Sequence, residues 1–489
     1  MNATAGIKVQ LKQTRIFHGV CLGLAGASFL SGCLVGPDYK KPSSTEVPAQ
    51  YQDLGTEWKV AEPQANLPRG KWWQIFEDEE LNQLEEKASD SNQTFKAEQE
   101  RFNQARELFN VSRAGLFPHI GVSGSLQRER QSANRPVNGV STGQPDTFNT
   151  YTVPLDLNYE LDLWGKVRRG MEASKASEEA AADLVETLRL SIQAEIASDW
   201  FTLHSLDDQI SLLRTNISVF SKSLELTRNR RKGGIVSDLD VSQAETILRS
   251  TEGQLPAIEL QRVKLEHALA VLVGEYPSTF RLERRPVSKP PLTLPSGLPS
   301  ELLERRPDIA SAERRMAAAN AGIGVAKAAF FPTLRLNGSA GFESVSASSL
   351  FSGPSRFWAV GPSLTLPLFE GGQLRARYRQ AKFAHEETVA DYRQTVLVAF
   401  SEVEDNLAAQ RLLAEELVSK NAALTSSRKT LEIASNRYRS GLVTFLEVAT
   451  AQNEELAREQ ETVRLSAERQ IASVALIKAL GGGWQKPSK

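Results

Sequence analysis

Two hydroxyl–carboxylate pairs stand out by residue type and spacing. Ser237 is followed three residues on by Asp240, and Thr444 three residues on by Glu447. Ser-x-x-Asp and Thr-x-x-Glu are capping-box spacings, in which hydroxyl and carboxylate each accept a backbone N–H at a helix start. Only the second pair has the full Ser/Thr-x-x-Glu form. Gly234 and Gly441 lie just upstream, where a left-handed residue can end the preceding helix. The chemistry so described is local: the acids satisfy orphan amides. A second reading has symmetry ring these acids around the end of a pore, and the two roles are compatible. Nothing else in the chain converges as catalytic groups must. His119, His204, His267 and His385 are far apart, and there is no metal-ligand spacing, nucleophile elbow or phosphate loop. Gly371-Gly372 and Gly481-Gly482-Gly483 fall at element ends, where turns explain them. No enzymatic activity, cofactor or metal is expected.

The elements that carry these pairs come in duplicate. Asn229-Arg230-Arg231-Lys232-Gly233-Gly234-Ile235-Val236-Ser237-Asp238-Leu239-Asp240-Val241 reappears about 207 positions later as Asn436-Arg437-Tyr438-Arg439-Ser440-Gly441-Leu442-Val443-Thr444-Phe445-Leu446-Glu447-Val448. The same offset superposes Trp164-Gly165-Lys166-Val167-Arg168 on Gly371-Gly372-Gln373-Leu374-Arg375. Leu116-Phe117-Pro118 and Phe330-Phe331-Pro332 echo each other a few residues out of that register. The period is too long for a solenoid, so the chain is a duplicated half-protein.

Each half predicts one strand hairpin and one very long helical hairpin. From Leu155 to Leu163 apolar and polar residues alternate without a fault, placing Asp156, Asn158, Glu160 and Asp162 on one face. Leu334, Leu336, Gly338, Ala340 and Phe342 share a face in the second half, as do Trp358, Val360, Leu364, Leu366 and Leu368. A soluble sheet with one wet face would show the same alternation. Strands of about 10 residues also suit a tilted bilayer crossing. Four strands cannot close a barrel and lipid forbids an open edge, so spanning strands require several chains to share one barrel.

Leu203, Leu206, Ile210, Leu213, Ile217, Phe220 and Leu224 form an unbroken heptad seam, and Leu417, Leu424, Leu431 and Tyr438 hold a seven-residue step. Neither about 168–231 nor about 375–439 contains a proline, and each helix would be roughly 100 Å long. Heptads establish helix packing, not a channel; a fibrous coiled coil or bundle fits them equally.

Composition and the N-terminus set the compartment. The 489 residues carry 58 basic against 59 acidic side chains, which argues against a nucleic-acid binder. Mean hydropathy is −0.33, too low for a bundle of membrane-spanning helices. Lys8, Lys12 and Arg15 precede an apolar run ending in Leu30-Ser31-Gly32-Cys33, the form of a lipoprotein signal with lipid attachment at Cys33. Leu34 stands where an Asp would suggest inner-membrane retention. Cys21 leaves with the signal, so no disulfide or thiolate metal site is expected.

The layout read from these signals is a signal peptide over 1–32, a lipidated extended arm over 33–70, and a first repeat over 71–278. Its strands fall at about 117–127 and 153–164 and its helical hairpin at about 168–274, preceded by one helix from about 79 to 114. A proline-rich linker over 279–300 leads to a second repeat over 301–480, with strands at about 332–342 and 357–369 and a hairpin at about 375–480. A tail, 481–489, follows.

Several motifs then carry a resemblance. Val35-Gly36-Pro37-Asp38-Tyr39 after the lipobox, Trp72-Trp73 with Phe76, Leu81 and Leu84, Leu161-Asp162-Leu163-Trp164-Gly165, Leu239-Asp240-Val241-Ser242-Gln243-Ala244-Glu245, Leu302-Leu303-Glu304-Arg305-Arg306-Pro307-Asp308-Ile309 and Phe330-Phe331-Pro332 occur in order. The set, covering essentially the whole mature chain, resembles the TolC-type outer membrane efflux proteins of the NodT-like lipoprotein branch. The resemblance implies a mainly α homotrimer with a small transmembrane β part. Four strands per chain would make a shared 12-stranded barrel, continued by a periplasmic α-barrel. It further implies an exit duct that passively conducts small molecules such as drugs or metal ions. An inner-membrane transporter, proton-driven, and a periplasmic adaptor would supply them, and the lipidated N-terminus would contact the outer membrane lipid. A type I protein secretion tunnel and a non-conducting trimeric spacer are the alternatives. By motif, Asp240 and Glu447 match acidic gate positions and Leu446 an apolar collar. Thr450 stands where relatives often carry Asp and Asn453 where some carry a charge, which implies a less negative innermost ring and weaker cation block.

Overall fold

The computed structural model describes residues 34–40, 70–132, 134, 136–137, 140–141, 147–285 and 306–482. Cys33, the signal and most of the arm and linker lie outside the described residues, as does the tail beyond Gly482. A short 3₁₀ helix (Trp72–Phe76) leads to α1 (Glu79–Ser91) and α2 (Gln93–Ala114), then β1 (His119–Val122), β2 (Ser125–Arg130), β3 (Pro136–Val137), β4 (Val140–Ser141) and β5 (Thr147–Leu161). Next come α3 (Lys166–Lys232) and α4 (Asp238–Leu272). The second half supplies α5 (Pro307–Ala328), β6 (Thr333–Ser344), β7 (Arg356–Thr365), α6 (Gln373–Arg439) and α7 (Phe445–Ala479).

The duplication holds to the residue. An offset of 207 carries α3 onto α6 and α4 onto α7, end for end. A second offset, 214, carries α2 onto α5 and the span of β1 and β2 onto β6. The residues fall into two units.

The first unit draws on Met1–Lys41, Asn103–Ala180 and Glu313–Asp391. Its sheet is antiparallel, with β5 and β6 in the middle, β7 on one outer side and β1 and β2 on the other. β5 is long enough, at 15 residues, to pair with both β1 and β2. The arm residues pack on this unit: Val35 N–H donates to Trp164 O at 3.1 Å, and Arg169 meets Asp38 at 2.6 Å. Tyr39 OH donates to Glu313 at 2.5 Å and Asn320 to Pro37 O at 3.1 Å. The chains cross at two glycines, since a Cβ on Gly36 would come within 2.5 Å of Gly324 Cα. Arg169 is buried, and Asp38 and Glu172 are its counter-ions, as a buried guanidinium requires.

The second unit draws on Pro42–Phe102, Ala181–Ala312 and Tyr392–Lys489. Trp72, Trp73, Phe76, Leu81, Trp200 and Phe201 share one core. The heptad seam is buried as its spacing predicts: Leu203, Leu206, Ile210, Leu213, Phe220 and Leu224 are shielded, and Ile217 packs against the hairpin core. Leu424 and Tyr438 are buried in α6.

Two expectations shift in this unit. The helix from about 79 to 114 is two helices, because Asn92 is extended and its side-chain oxygen accepts from Phe95 N–H at 2.8 Å. Its amide donates to Leu272 O at 2.7 Å, which ties the break to the end of α4. The first residues assigned to the linker are strapped down instead. Arg262, Asp207 and Glu266 form a buried ion cluster. Arg262 donates to Leu282 O at 3.0 Å, Glu266 accepts from Leu282 N–H at 2.7 Å, and Phe280 is buried. Proline content marks the segment, but the charges that hold it come from the preceding helix, α4, whose Arg262 is itself held by Asp207 of α3. No described helix is long and apolar enough to cross a membrane.

Candidate functional site

Each helical hairpin reverses through the same turn. In the first, Ile235 N–H donates to Arg230 O at 2.9 Å and Gly234 N–H to Arg231 O at 3.0 Å. In the second, Leu442 N–H donates to Arg437 O at 2.9 Å and Gly441 N–H to Tyr438 O at 3.0 Å. This pair of bonds closes a helix over one left-handed residue, which is why glycine recurs there: φ is +72° at Gly234 and +76° at Gly441.

The starts of the return helices differ, and opposite to their sequence forms. Ser237 and Asp240 complete a capping box. Asp240 accepts from Ser237 N–H at 2.9 Å and from its hydroxyl at 2.7 Å. Thr444, with the better-formed box in sequence, makes no side-chain cap. Glu447 turns instead to Arg437, at 3.7 Å. The amide that a Thr444 box would leave uncovered is served from the other hairpin: Phe445 N–H donates to Asp240 Oδ1 at 3.2 Å.

Arg230 makes the complementary contact, and sequence reasoning missed it. Its guanidinium donates to Tyr438 O and Arg439 O, both at 2.9 Å, and lies 4.8 Å from the Tyr438 ring centroid. Tyr438 in turn packs edge-on against Phe445 at 5.5 Å. One hairpin thus places a cation on the last carbonyls of α6 and an anion on the first amide of α7, matching both helix dipoles. The only sequence signal was an arginine repeated at 230 and 437, and it gave no partner.

Electrostatics agree with geometry at Asp240. Desolvation pushes its carboxyl up, but hydrogen bonds from the Ser237 hydroxyl, Ser237 N–H and Phe445 N–H outweigh it and hold it below the ordinary Asp value. Beside these contacts stand exposed groups. Ile235, Leu239, Leu442 and Leu446 present large apolar side chains to the surface, and Thr450 is exposed with its hydroxyl bonded to Leu446 O at 2.9 Å.

In the first unit the polar row runs across the sheet. Asp156 lies opposite Gly121 and Ser339, and Asn158 opposite His119 and Asn337. Glu160 joins two cations, Lys166 at 3.0 Å and Arg335 at 3.2 Å. Asp162 departs from the expected row. It lies beyond the end of β5 and accepts from Val167 N–H at 3.0 Å and Arg168 N–H at 2.9 Å. Alternation carried it onto the strand face, but the start of α3 claims it as an anion for orphan amides. On the opposite face Ile120, Val122, Leu126, Leu155, Trp358 and Val360 are exposed, an apolar band of the kind a bilayer covers. Among the described residues no cluster of His, Cys, Asp and Glu could hold a metal ion.

Known proteins share this architecture over nearly its whole length. Residues 84–275 and 298–482 match the family described as "Outer membrane efflux protein". Outer membrane protein OprJ of Pseudomonas aeruginosa is 32% identical, with 94% of each chain covered. Toluene efflux pump outer membrane protein TtgF of Pseudomonas putida is 31% identical, covering 96% of this chain and 97% of its own. The solved outer-membrane channel OprN superposes with a TM-score of 0.82 at 32% identity, over 93% of this chain and all of its own. The helical hairpins, the small sheet and the outer-membrane efflux role are therefore one family's design, and the chain belongs to the outer membrane efflux protein family.

Proposed function

We propose that three copies of this chain form one exit duct, with a shared barrel of four strand passes per copy and a periplasmic helical tube. The observation that carries this reading is the open sheet: its outer strands, β7 on one side and β1 and β2 on the other, have no further neighbour among the described residues, and a bilayer does not tolerate such open edges. The duct conducts small molecules passively, and the energy comes from an inner-membrane transporter, proton-driven, reached through a periplasmic adaptor. The toluene-pump name belongs to TtgF; for this chain it supports small apolar cargo over secreted protein. The exposed Ile235, Leu239, Leu442 and Leu446 are the surface for the adaptor, and Asp240 with Arg230 holds the two hairpin tips together where the tube closes. Cys33 carries lipid in the outer membrane, and the docked residues 34–40 position it.

Planar-bilayer recording of the purified protein tests the duct. A conductance in a folded trimer is expected. A well-folded trimer that conducts nothing favours a spacer and ends the proposal. Mass spectrometry of the mature N-terminus tests the lipid: an unmodified Cys33, or cleavage elsewhere, removes that part alone.

A further inference from the structure

We propose that Arg128, Arg130 and Arg356 build a binding site on the outside of the barrel for the phosphate groups of the outer-leaflet glycolipid. The site rests on the shared barrel proposed above, and it names a ligand for that barrel's outer face.

Strand register puts the three arginines on the apolar face. Val122 lies opposite Leu155 and Leu126 opposite Tyr151, so the odd-numbered residues of β5 share the face of the apolar band. Arg128 lies opposite Asn149 and Arg130 opposite Thr147, on that same face. Arg356 lies opposite Phe342, which in turn lies opposite Val153. All three side chains are exposed. They also share one end of the sheet. β5 begins at Thr147 and leads from Leu161 into α3, and β7 begins at Arg356 and leads from Thr365 into α6. The helices therefore join the sheet at the far end, and the arginines stand where the strands meet the loops.

Cations at the two ends of the sheet are answered differently. At the helix end, Glu160 takes Lys166 and Arg335, and Asp162 takes Arg168. At the loop end two acids are at hand, but Glu129 lies opposite Phe148 and Glu343 opposite Thr152, which turns both to the other face. Among the described residues no carboxylate pairs with Arg128, Arg130 or Arg356. A guanidinium on a lipid-facing strand is costly at the bilayer midplane and nearly free at the interface, so this row belongs at headgroup level. Aromatic residues one step toward the helices agree. Tyr151 precedes Asn149 on this face and exposed Trp358 follows Arg356, forming the belt that marks the interface.

The ligand follows from charge and height. In the proposed orientation the helices are periplasmic, so the loop end meets the outer leaflet, whose glycolipid carries phosphates between its sugars and its acyl chains. The planar fork of arginine binds phosphate through two N–H donors at once, and exposed Leu126, Trp358 and Val360 below it suit the acyl chains. The two sides of the sheet complete one site. Within a chain Arg356 stands on one outer strand and Arg128 and Arg130 on the other, three strand spacings or roughly 14 Å apart. In a closed barrel of several copies these outer sides become neighbours, so each junction gathers Arg356 of one copy with Arg128 and Arg130 of the next.

Titration of the purified full-length protein in detergent with lipopolysaccharide tests the site, with the oligomeric state read by native mass analysis of the same sample. Each basic side chain near an anionic lipid surface contributes about fivefold in affinity, so Arg128→Gln/Arg130→Gln/Arg356→Gln should weaken binding on the order of a hundredfold. The corresponding triple Lys variant should recover only part of that loss, because it keeps the charge without the fork. Glu129→Gln/Glu343→Gln, on the other face, should bind as the wild type does. Dephosphorylated lipopolysaccharide should bind the wild type as weakly as the intact lipid binds the triple Gln variant. Unchanged affinity in a trimeric triple Gln variant overturns the site and leaves the shared barrel standing. Inorganic phosphate that competes at the same concentration, or phosphatidylglycerol in the same detergent that binds equally well, overturns the glycolipid as occupant. A wild-type protein that is monomeric in detergent and in membranes sinks the shared-barrel reading, and the joint site with it.

Discussion

Asp240 serves two helices at once. One oxygen closes a box with Ser237, whose N–H lies at 2.9 Å, and the other accepts Phe445 N–H at 3.2 Å from the second repeat. Asp240→Ala therefore removes a cap from its own helix and from its neighbour. A lost cap costs about 1 kcal/mol, so hydrogen exchange at the Phe445 amide should speed up about fivefold to tenfold. Glu447→Gln should leave that amide unchanged. Equal protection of Phe445 in wild type and Asp240→Ala would refute the shared cap.

The same carboxylate sets a pH window. Hydrogen bonds hold Asp240 below the ordinary Asp value, so its contribution is present above the unfolded pKa, near 4, and is lost as pH falls through the lower folded value. Protection at Phe445 should be flat from pH 7 to about 5 and fall only in more acidic solution. An Asp240→Asn protein should show no such fall, and a decline already at pH 6 in the wild type would contradict the assignment.

Arg230 holds two carbonyls at the end of α6 with two different nitrogens, a geometry that a single ammonium cannot reproduce. Arg230→Lys should therefore behave more like Arg230→Gln than like wild type. Each is expected to loosen the tips by about 1–3 kcal/mol, read as faster exchange at Leu442 and as more frequent openings in single-channel records. Full retention of closed-state behaviour in Arg230→Gln would show that the contact does not hold the tips.

The buried Arg262–Asp207–Glu266 cluster gives a stability test. Arg262→Ala leaves two buried carboxylates facing each other and should cost about 3–5 kcal/mol in denaturant unfolding. The triple replacement Arg262→Met/Asp207→Leu/Glu266→Leu should recover most of that loss. Triple-variant stability no better than the single would mean the cluster also fixes the 280–285 strap in a way hydrophobic packing cannot.

Asp199 is pushed up to about 6, by desolvation first and by Glu195 second. A raised Asp favours the fold below its unfolded pKa and loses that benefit as pH rises through the folded value. Asp199→Asn should thus stabilise the protein above about pH 6, on the order of 1 kcal/mol after discounting for residual solvent access, and give no gain near pH 4. Stabilisation independent of pH would point to another cause.

At the proposed gate, Thr450 and Asn453 take the place of charges expected from the resemblance, while Asp240 is already engaged. Divalent and trivalent cations should block the conductance weakly. Tight block that survives Asp240→Asn and Glu447→Gln together would exclude these residues as the cation site.

Much of the architecture was legible because it rests on periodicity. The heptad from Leu203 to Leu224 and the alternation from Leu155 to Leu161 are local patterns, and burial and pairing follow them. Boundaries and partners were less legible. Asn92 breaks a helix that no proline or glycine marks, and Asp162 satisfies every rule of strand alternation yet caps a helix. In both cases a polar side chain chose between two local backbones, and the orphan amides nearby decided which.

The sequence by itself determined the duplication, the long helices and their seams, the left-handed glycine turns and the alternating strands, because each depends on spacing within one element. Only the tertiary structure decided which carboxylate caps which helix. Thr444 and Glu447 have the right spacing, but Glu447 N–H bonds the Thr444 carbonyl at 3.3 Å and the Glu447 carboxylate turns to Arg437, while Asp240 reaches Phe445 N–H from the other hairpin. The echo of Leu116-Phe117-Pro118 in Phe330-Phe331-Pro332 hinted at a second offset, and the tertiary structure extended it to whole elements, since the register of facing strands, a property of neither strand alone, is where the two offsets must agree.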